Sequence, residues 1–247
     1  MKILSIGNSF SADAHKYLHE LAEQRDVDLQ AVNLAIGGCS LETHYTNIKE
    51  NNAKYLHIIN GNENWEADTV AVDSIIKDEK YDIVTLQQVS HFSGMYETYE
   101  PYLSELVKYV KENQPNALLY IHRTWAYEID TTHSGFASYD NNQAKMFKEI
   151  CKATEKACQA TGASIIKSGD VIQKMREAIP YFDYKNGGET LCLKDGFHMS
   201  HTYGRFAVAL TWLATLSGKR VAPMPFKDLD LTLISQICDI VNEIVFD

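Results

Sequence analysis

Five short runs of apolar and β-branched residues recur along the chain, each followed by glycine or polar residues and then by a stretch with helical periodicity. The runs cover residues 2–6, 27–36, 81–86, 117–122 and 163–166. Because continuous apolar strands need cover on both faces, this alternation predicts a mainly parallel five-stranded sheet between two layers of helices. The asparagine-rich segment around Gly61 is predicted to be a loop. We therefore expect an α/β fold, a three-layer α/β/α sandwich of the flavodoxin-like kind.

A chain of 247 residues fits a single α/β domain over residues 1–247. The net charge of -10 is not interrupted by any basic cluster, so no nucleic acid partner is expected. The first ten residues contain an apolar run too short for a signal-peptide core or a membrane span, which predicts a cytoplasmic protein with no membrane partner. The five cysteines are an odd set without metal-binding spacing, so reduced thiols are expected.

The carboxyl ends of the predicted strands carry polar residues, and ligands of parallel α/β sheets bind at such ends. Ser9 follows the first strand within GNSFS, where a serine is either a helix N-cap or an exposed nucleophile. The glycine pair that ends at Gly38 follows the second strand and suits either a plain turn or an oxyanion site. Gln87 and Gln88 follow the third strand. Because residues alternate across a strand, only one of these amides could reach the site as an oxyanion donor.

Asp195 and His198 lie three residues apart, just before a predicted helix over residues 201–217. In a turn, this spacing lets the carboxylate hold one imidazole nitrogen while the other nitrogen faces outward, as a general base requires. A solvent-facing loop pair accounts for the motif equally well. A metal site that includes His201 is disfavoured because no fourth ligand is evident, so neither a metal nor another cofactor is expected.

Taken in order, the GNSFS turn, the Gly-Gly strand end, the amide-bearing strand end and the C-terminal Asp-x-x-His resemble the blocks of the SGNH (GDSL-like) hydrolases. The resemblance implies that Ser9 is the nucleophile, that its backbone N–H and that of Gly38 serve the oxyanion hole, and that Asp195 and His198 complete a triad. The chain departs from the family in the third block, where LQQVS replaces Gly-x-Asn-Asp.

With glutamine in its third block, the chain resembles sialic acid O-acetylesterases and related carbohydrate acetylesterases. That likeness makes Gln87 the first oxyanion candidate and Gln88 the second. The chain is most similar to a bacterial SGNH group that shares GNSFS, LQQ-S and a WAY segment. The resemblance implies a serine esterase without a cofactor.

The segment after the fourth predicted strand contains Arg123, Trp125 and Tyr127, which we expect at the rim of the same site as substrate-binding residues. An arginine with two aromatic rings suits a saccharide, although an aromatic loop packed against the core has the same composition. The polar rim favours a small-molecule ester, with an acetyl group on a saccharide. The alternatives are a lipid esterase or thioesterase with an apolar channel near Ser9, and a non-catalytic flavodoxin-like module that binds an anion.

Overall fold

The computed structural model describes residues 1–64 and 66–247, and it confirms the expected α/β class. The strands are β1 (Lys2–Gly7), β2 (Gln30–Ala35), β3 (Leu56–Ile59), β4 (Ile83–Leu86), β5 (Leu118–His122) and β6 (Ser164–Ile166). The helices are α1 (Ser9–His15), α2 (Leu18–Glu23), α3 (Leu41–Lys49), α4 (Val72–Ile76), α5 (Tyr102–Asn113), α6 (Gln143–Thr161), α7 (Ser168–Ala178), α8 (Tyr203–Ser217) and α9 (Leu231–Phe246). The strands form one sheet in the order β3-β2-β1-β4-β5-β6.

The central strand, β1, aligns the ends of its neighbours at one edge of the sheet. Its parallel register pairs Ile6 with Leu34 of β2 and with Leu86 of β4. Ile6 has no exposed surface, as expected for a strand that is covered on both faces. The residues that follow these three strands are therefore gathered along one edge.

The sheet has six strands where the sequence predicts five, because β3 joins the edge of the sheet antiparallel to β2. This strand has four residues, of which Leu56 and Ile58 are buried while His57 and Ile59 are exposed. So short an alternation, directly before the asparagine-rich loop, gives no distinct signal in the sequence. Pairing with β2 creates this strand, so a tertiary contact overrides the local pattern.

Helices cover both faces of the sheet and produce the expected three layers. On one face α1, α2, α7, α8 and α9 pack against side chains such as Ile3 and Ile83, and on the other α3, α4 and α5 pack against side chains such as Leu4 and Val84. Helix α8 is buried along most of its length, in keeping with its almost wholly apolar sequence. None of the helices in the described ranges is both long enough and apolar enough to span a membrane.

Candidate active site

The turn between β1 and α1 holds Ser9 at the edge of the sheet. Asn8 caps the helix, because its Oδ1 accepts from the backbone N–H of Phe10 at 3.0 Å. Its Nδ2 donates to the carbonyl of Cys39 at 3.0 Å and so ties the turn to the loop that follows β2. Since Asn8 is the N-cap, the Ser9 hydroxyl is not used as one, and Ser9 remains partly exposed.

The structure brings the three predicted triad residues into contact. Oγ of Ser9 lies 2.9 Å from Nε2 of His198, and Nδ1 of His198 lies 2.7 Å from Oδ2 of Asp195. When the Asp195 carboxylate accepts the Nδ1 proton, Nε2 is left as an acceptor for the proton of Ser9. The arrangement can activate a hydroxyl for nucleophilic attack.

The turn around Asp195 keeps its carboxylate ionised. Oδ1 accepts from the backbone N–H groups of Phe197 and His198, each at 3.0 Å. Burial alone would raise the pKa of Asp195, but these hydrogen bonds and the one from the His198 ring lower it below its usual 3.8. Gly196 has a φ of 75°, and a Cβ there would come within 2.7 Å of Thr131. The turn therefore requires glycine at this position.

The segment after β5 holds the Asp195 turn through hydrogen bonds to its carbonyl groups. Nε1 of Trp125 donates to the carbonyl of Phe197 at 2.7 Å, and Oγ1 of Thr131 donates to the carbonyl of Asp195 at 2.7 Å. Sequence reasoning did not identify Thr131, because a hydroxyl that binds a distant carbonyl leaves no spacing pattern. Both bonds fix the main chain of the turn that carries the Asp195 carboxylate.

Asp13 connects the nucleophile helix to the histidine segment. Its Oδ2 accepts from the backbone N–H of Met199 at 2.8 Å, and its Oδ1 lies 2.8 Å from a guanidinium nitrogen of Arg205. Burial, partly offset by Arg205 and by the Met199 N–H, raises the pKa of Asp13 to about 6. Asp13 is not among the site residues predicted from the sequence. Its position four residues after Ser9, on the same face of α1, is the signal that could have found it.

The predicted oxyanion donors include the backbone N–H groups of Ser9 and Gly38. Ser9 begins its helix, so its N–H has no intrahelical acceptor, and Gly38 lies in a turn with a φ of 66°. Within residues 1–64 and 66–247, neither N–H donates to a protein acceptor. Both groups stay candidates for the oxyanion hole.

Gln87 contacts the nucleophile turn through Asn8. Its Nε2 donates to Oδ1 of Asn8 at 2.6 Å, while its Oε1 lies 2.9 Å from Nδ1 of His122. Burial lowers the pKa of His122 to about 3, so the ring is neutral, and its Nε2 lies 2.9 Å from Oγ of Ser168. One N–H of Gln87 is thus committed to Asn8, and its role as an oxyanion donor stays a prediction.

The expectation that Gln88 is the alternative oxyanion donor is corrected. Its Oε1 accepts from the backbone N–H groups of Leu41 and Val89, at 3.0 and 2.8 Å, and its Nε2 donates to the carbonyl and hydroxyl of Thr98. The strand alternation places it opposite Gln87, as expected. Both ends of the amide are used in packing the loops, so it has no N–H directed at Ser9.

The expected rim role of Arg123 is also corrected. Its side chain is buried, and its guanidinium lies 2.7 Å from Asp170 and 3.1 Å from Glu155, on α7 and α6. The side chain of a residue that follows a strand can point between helices as readily as toward the predicted active site. The sequence does not distinguish these two directions. Arg123 therefore ties two helices together away from the triad.

Trp125 and Tyr127 have no exposed surface, so the expectation that they contact substrate directly is corrected as well. Trp125 stacks on Phe10 with ring centroids 4.3 Å apart and planes at 6°. The hydroxyl of Tyr127 lies 2.7 Å from that of Ser90. The aromatic composition that suggested a binding rim belongs to a packed layer beneath the site, the alternative that the same composition allowed.

A cleft of about 570 Å³ does not border any triad residue. Its lining includes the side chains of Gln143, Gln173, Arg176, Glu177, Asp183 and Tyr184. Cleft size alone would therefore point away from the hydrogen-bonded line of Ser9, His198 and Asp195, and we place the site by its chemistry. Among the described residues, no three His, Cys, Asp or Glu side chains are grouped so as to hold a metal ion.

A family model described as a domain of unknown function, DUF4886, matches residues 2–242. The crystal structure of a DUF4886 family protein from Bacteroides uniformis is 36% identical, covers 100% of this chain and 95% of that chain, and has a TM-score of 0.89. No curated protein matches the sequence.

More distant solved structures share the fold. A protein from Slackia heliotrinireducens assigned to the SGNH hydrolases is 22% identical, over 87% of this chain and 98% of that chain, with a TM-score of 0.59. A variant of an acetyl-xylooligosaccharide esterase from Geobacillus stearmophilus is 14% identical, over 90% and 97% of the two chains, with a TM-score of 0.54. At these identities the likeness shows that the chain has the fold of the SGNH hydrolases.

Proposed function

We propose that this chain, which belongs to the DUF4886 family, is a serine esterase of the SGNH type that needs no cofactor. The observation that carries the proposal is the hydrogen-bonded line from Ser9 through His198 to Asp195, with separations of 2.9 and 2.7 Å. A serine in this line is a nucleophile with its general base already in place. The esterases among the distant structural neighbours support the same chemistry.

The reaction is acyl transfer in two steps. Oγ of Ser9 attacks the ester carbonyl while Nε2 of His198 takes its proton, and the imidazolium then gives that proton to the departing alcohol. Water attacks the acyl-enzyme, His198 takes a proton from the water, and the acid leaves as Ser9 recovers its hydroxyl. Asp195 holds the tautomer and stabilises the imidazolium in both steps.

The negative oxygen of the tetrahedral intermediate is held by the backbone N–H groups of Ser9 and Gly38. Each such donor typically contributes about 3 kcal/mol of transition-state stabilisation. The Ser9 N–H belongs to the first turn of α1, so the positive end of the helix also favours the oxyanion. Gln87 keeps this turn in position through Asn8, whether or not its second N–H reaches the oxyanion.

The proposed substrate is a small acyl ester, an acetyl group on a saccharide. Support comes from the acetyl-xylooligosaccharide esterase that shares the fold. A lipid esterase or thioesterase is the alternative within this chemistry, and a preference for long-chain over short-chain p-nitrophenyl esters would favour it. The single domain over residues 1–247 and the cytoplasmic location stay predictions.

Labelling with a fluorophosphonate tests the proposal directly, because the reagent forms a covalent bond only with an activated hydroxyl. Peptide mass mapping should place the label on Ser9, and the neighbouring Ser11, whose hydroxyl donates to Asn8 and Asn33, serves as the internal control. Ser9→Ala should abolish labelling and lower kcat/KM for p-nitrophenyl acetate by about 10³-fold or more. Label on another residue, or near wild-type turnover in the variant, would rule out the proposed nucleophile.

A further inference from the structure

Three partly exposed rings lie one after another, starting beside the ring of His198. The Phe197 ring lies 4.4 Å from that of His198, the His133 ring lies 5.0 Å from Phe197, and the His91 ring lies 5.6 Å from His133. We call Phe197, His133 and His91 the ring row. All three side chains are only partly buried, so the row offers a surface beside the triad.

The ring row rests on the buried aromatic layer. The Tyr127 ring lies 4.9 Å from His133 and 5.6 Å from Phe197, and Trp125 fixes the Phe197 main chain. His133 is held further because its Nδ1 accepts from the backbone N–H of Gly135 at 3.0 Å, at the start of the 3₁₀ turn Ser134–Tyr139. The row is therefore in place before any ligand binds, which lowers the entropy that binding would cost.

The row combines ring faces with the ring nitrogens of His133 and His91. Burial, with the neighbouring His133, lowers the pKa of His91, so the His91 ring is uncharged at neutral pH. Since Nδ1 of His133 accepts a hydrogen bond, the neutral ring carries its proton on Nε2. Within the described chain that N–H has no hydrogen-bond acceptor, and it remains a donor for a ligand.

We propose that the ring row binds the saccharide alcohol of the substrate, with a sugar face against Phe197 and His133. This inference rests on the proposed esterase function. His198 must deliver its proton to the departing alcohol, so the alcohol lies on the His198 side of Ser9, and the ring row begins there. Sugar rings have a face of C–H groups, which suits the negative face of an aromatic ring, and hydroxyls that suit the Nε2–H of His133.

Two substitutions at His133 separate the ring from its capping role. His133→Asn removes the ring but keeps a side-chain acceptor for the Gly135 N–H, since asparagine is a favoured cap. His133→Phe keeps a ring but loses both the acceptor and the Nε2–H. The exposed neighbour Ser134 supplies the matched control, Ser134→Ala.

Steady-state kinetics should be measured on acetylated xylo-oligosaccharides and on ethyl acetate, whose alcohol is too small to reach the row. His133→Asn should raise KM for the oligosaccharides about tenfold, because an aromatic contact and one hydrogen bond are lost together. His133→Phe should raise it about threefold, because the hydrogen bond to the ligand is lost while the aromatic contact with the ligand is kept. Neither substitution should change kcat/KM for ethyl acetate, and Ser134→Ala should change nothing.

Equal losses on both substrates, or an unchanged KM for the oligosaccharides in His133→Asn, would overturn the ring row as a binding surface. Should His133→Asn fail to fold, His133→Phe provides the test, because it removes the Nε2–H that the proposal assigns to a sugar hydroxyl. A wild-type enzyme that hydrolyses neither substrate and takes no fluorophosphonate label would instead refute the esterase itself. Activity on ethyl acetate therefore distinguishes a failure of the ring row as a binding surface from a failure of the proposed esterase chemistry.

Discussion

The two halves of the site are held by different kinds of structure. Ser9 lies between a central strand and a helix, and its turn is fixed by the Asn8 cap. Asp195 and His198 lie in a stretch, residues 188–202, that contains neither a helix nor an extended strand. On the nucleophile side a regular strand and helix set the geometry. On the histidine side, irregular main-chain hydrogen bonds such as that from the Leu193 N–H to the His198 carbonyl, at 2.8 Å, act together with side chains from distant segments.

This difference predicts how each half responds to substitution. Main-chain hydrogen bonds persist when a single side chain changes, so the nucleophile turn should fail only where its few buried polar partners are removed. The histidine segment has fewer main-chain hydrogen bonds of a regular element and relies in addition on single side-chain contacts from Asp13, Trp125 and Thr131. Substitutions can therefore test whether the halves are independent.

Asp195→Asn should have the largest effect, and it affects the histidine half alone. Asparagine keeps an oxygen for the N–H groups of Phe197 and His198, so the turn should fold, but it no longer stabilises the imidazolium or selects the Nδ1–H tautomer. We expect kcat/KM for p-nitrophenyl acetate to fall about 10³- to 10⁴-fold at neutral pH. The melting temperature, measured on the same sample, should change little.

Because hydrogen bonds lower the pKa of Asp195, its carboxylate stays ionised down to acidic pH. Fluorophosphonate labelling of Ser9 in Asp195→Asn should slow in parallel with turnover, since both need the same base. Activity within about tenfold of wild type would mean that His198 is oriented without Asp195, and the histidine half would need another explanation.

Gln87→Ala tests the nucleophile half. The substitution removes the donor to Asn8 and leaves the buried Nδ1–H of His122 without an acceptor, which should cost about 1 to 3 kcal/mol of stability in urea unfolding. If Gln87 only positions the turn, kcat should fall about tenfold with KM unchanged, less than the roughly 100-fold loss expected for a direct oxyanion donor.

Gln88→Ala is the matched control for that experiment. It leaves the N–H groups of Leu41 and Val89 without their acceptor, so the melting temperature should fall in a similar way while kcat stays close to wild type. A loss of roughly 100-fold in Gln87→Ala would instead make this amide an oxyanion donor in its own right. An equal fall of kcat in both variants would show that the loss of activity reflects a general loss of stability and not the position of Asn8.

The same contrast explains what could be predicted from the sequence. Strands with continuous apolar runs, such as β1 and β4, were identifiable because burial on both faces leaves a strong local pattern. The edge strand β3 was not, because it exists through its pairing with β2. The stretch that follows β1 forms two short helices, α1 and α2, and the first begins directly at Ser9.

Within the site, motif order predicts Ser9, Asp195 and His198, and the structure places these three side chains within hydrogen-bond distance of one another. The contacts that hold the histidine segment were missed, since Asp13 and Thr131 bind main-chain groups far away in sequence. Arg123, Trp125 and Tyr127 were assigned to a surface because a buried aromatic layer and an exposed one have the same composition. Depth in the fold is a tertiary property, and a local segment does not encode it.

Asp13 offers the finest test of the comparison, because it is the buried group on the nucleophile helix that holds the histidine segment. Its pKa is about 6 in the folded protein, against 3.8 for an ordinary carboxyl. The folded state therefore binds more protons than the unfolded state between these values. The resulting stabilisation is fully present below pH 3.8 and is lost as the pH rises through 6.

The free energy of unfolding of the wild type, relative to that of Asp13→Asn, should therefore fall by about 1 kcal/mol between pH 5 and pH 7. Urea titrations at both pH values measure it, and the contributions of titrating groups that do not interact with Asp13 cancel in the difference. Asparagine can still accept from the Met199 N–H but no longer pairs with Arg205. If the unfolding free energies of the two proteins differ by the same amount at both pH values, Asp13 has an ordinary pKa. The contact that joins the two halves would then be no more sensitive to pH than the contacts made by Trp125 and Thr131.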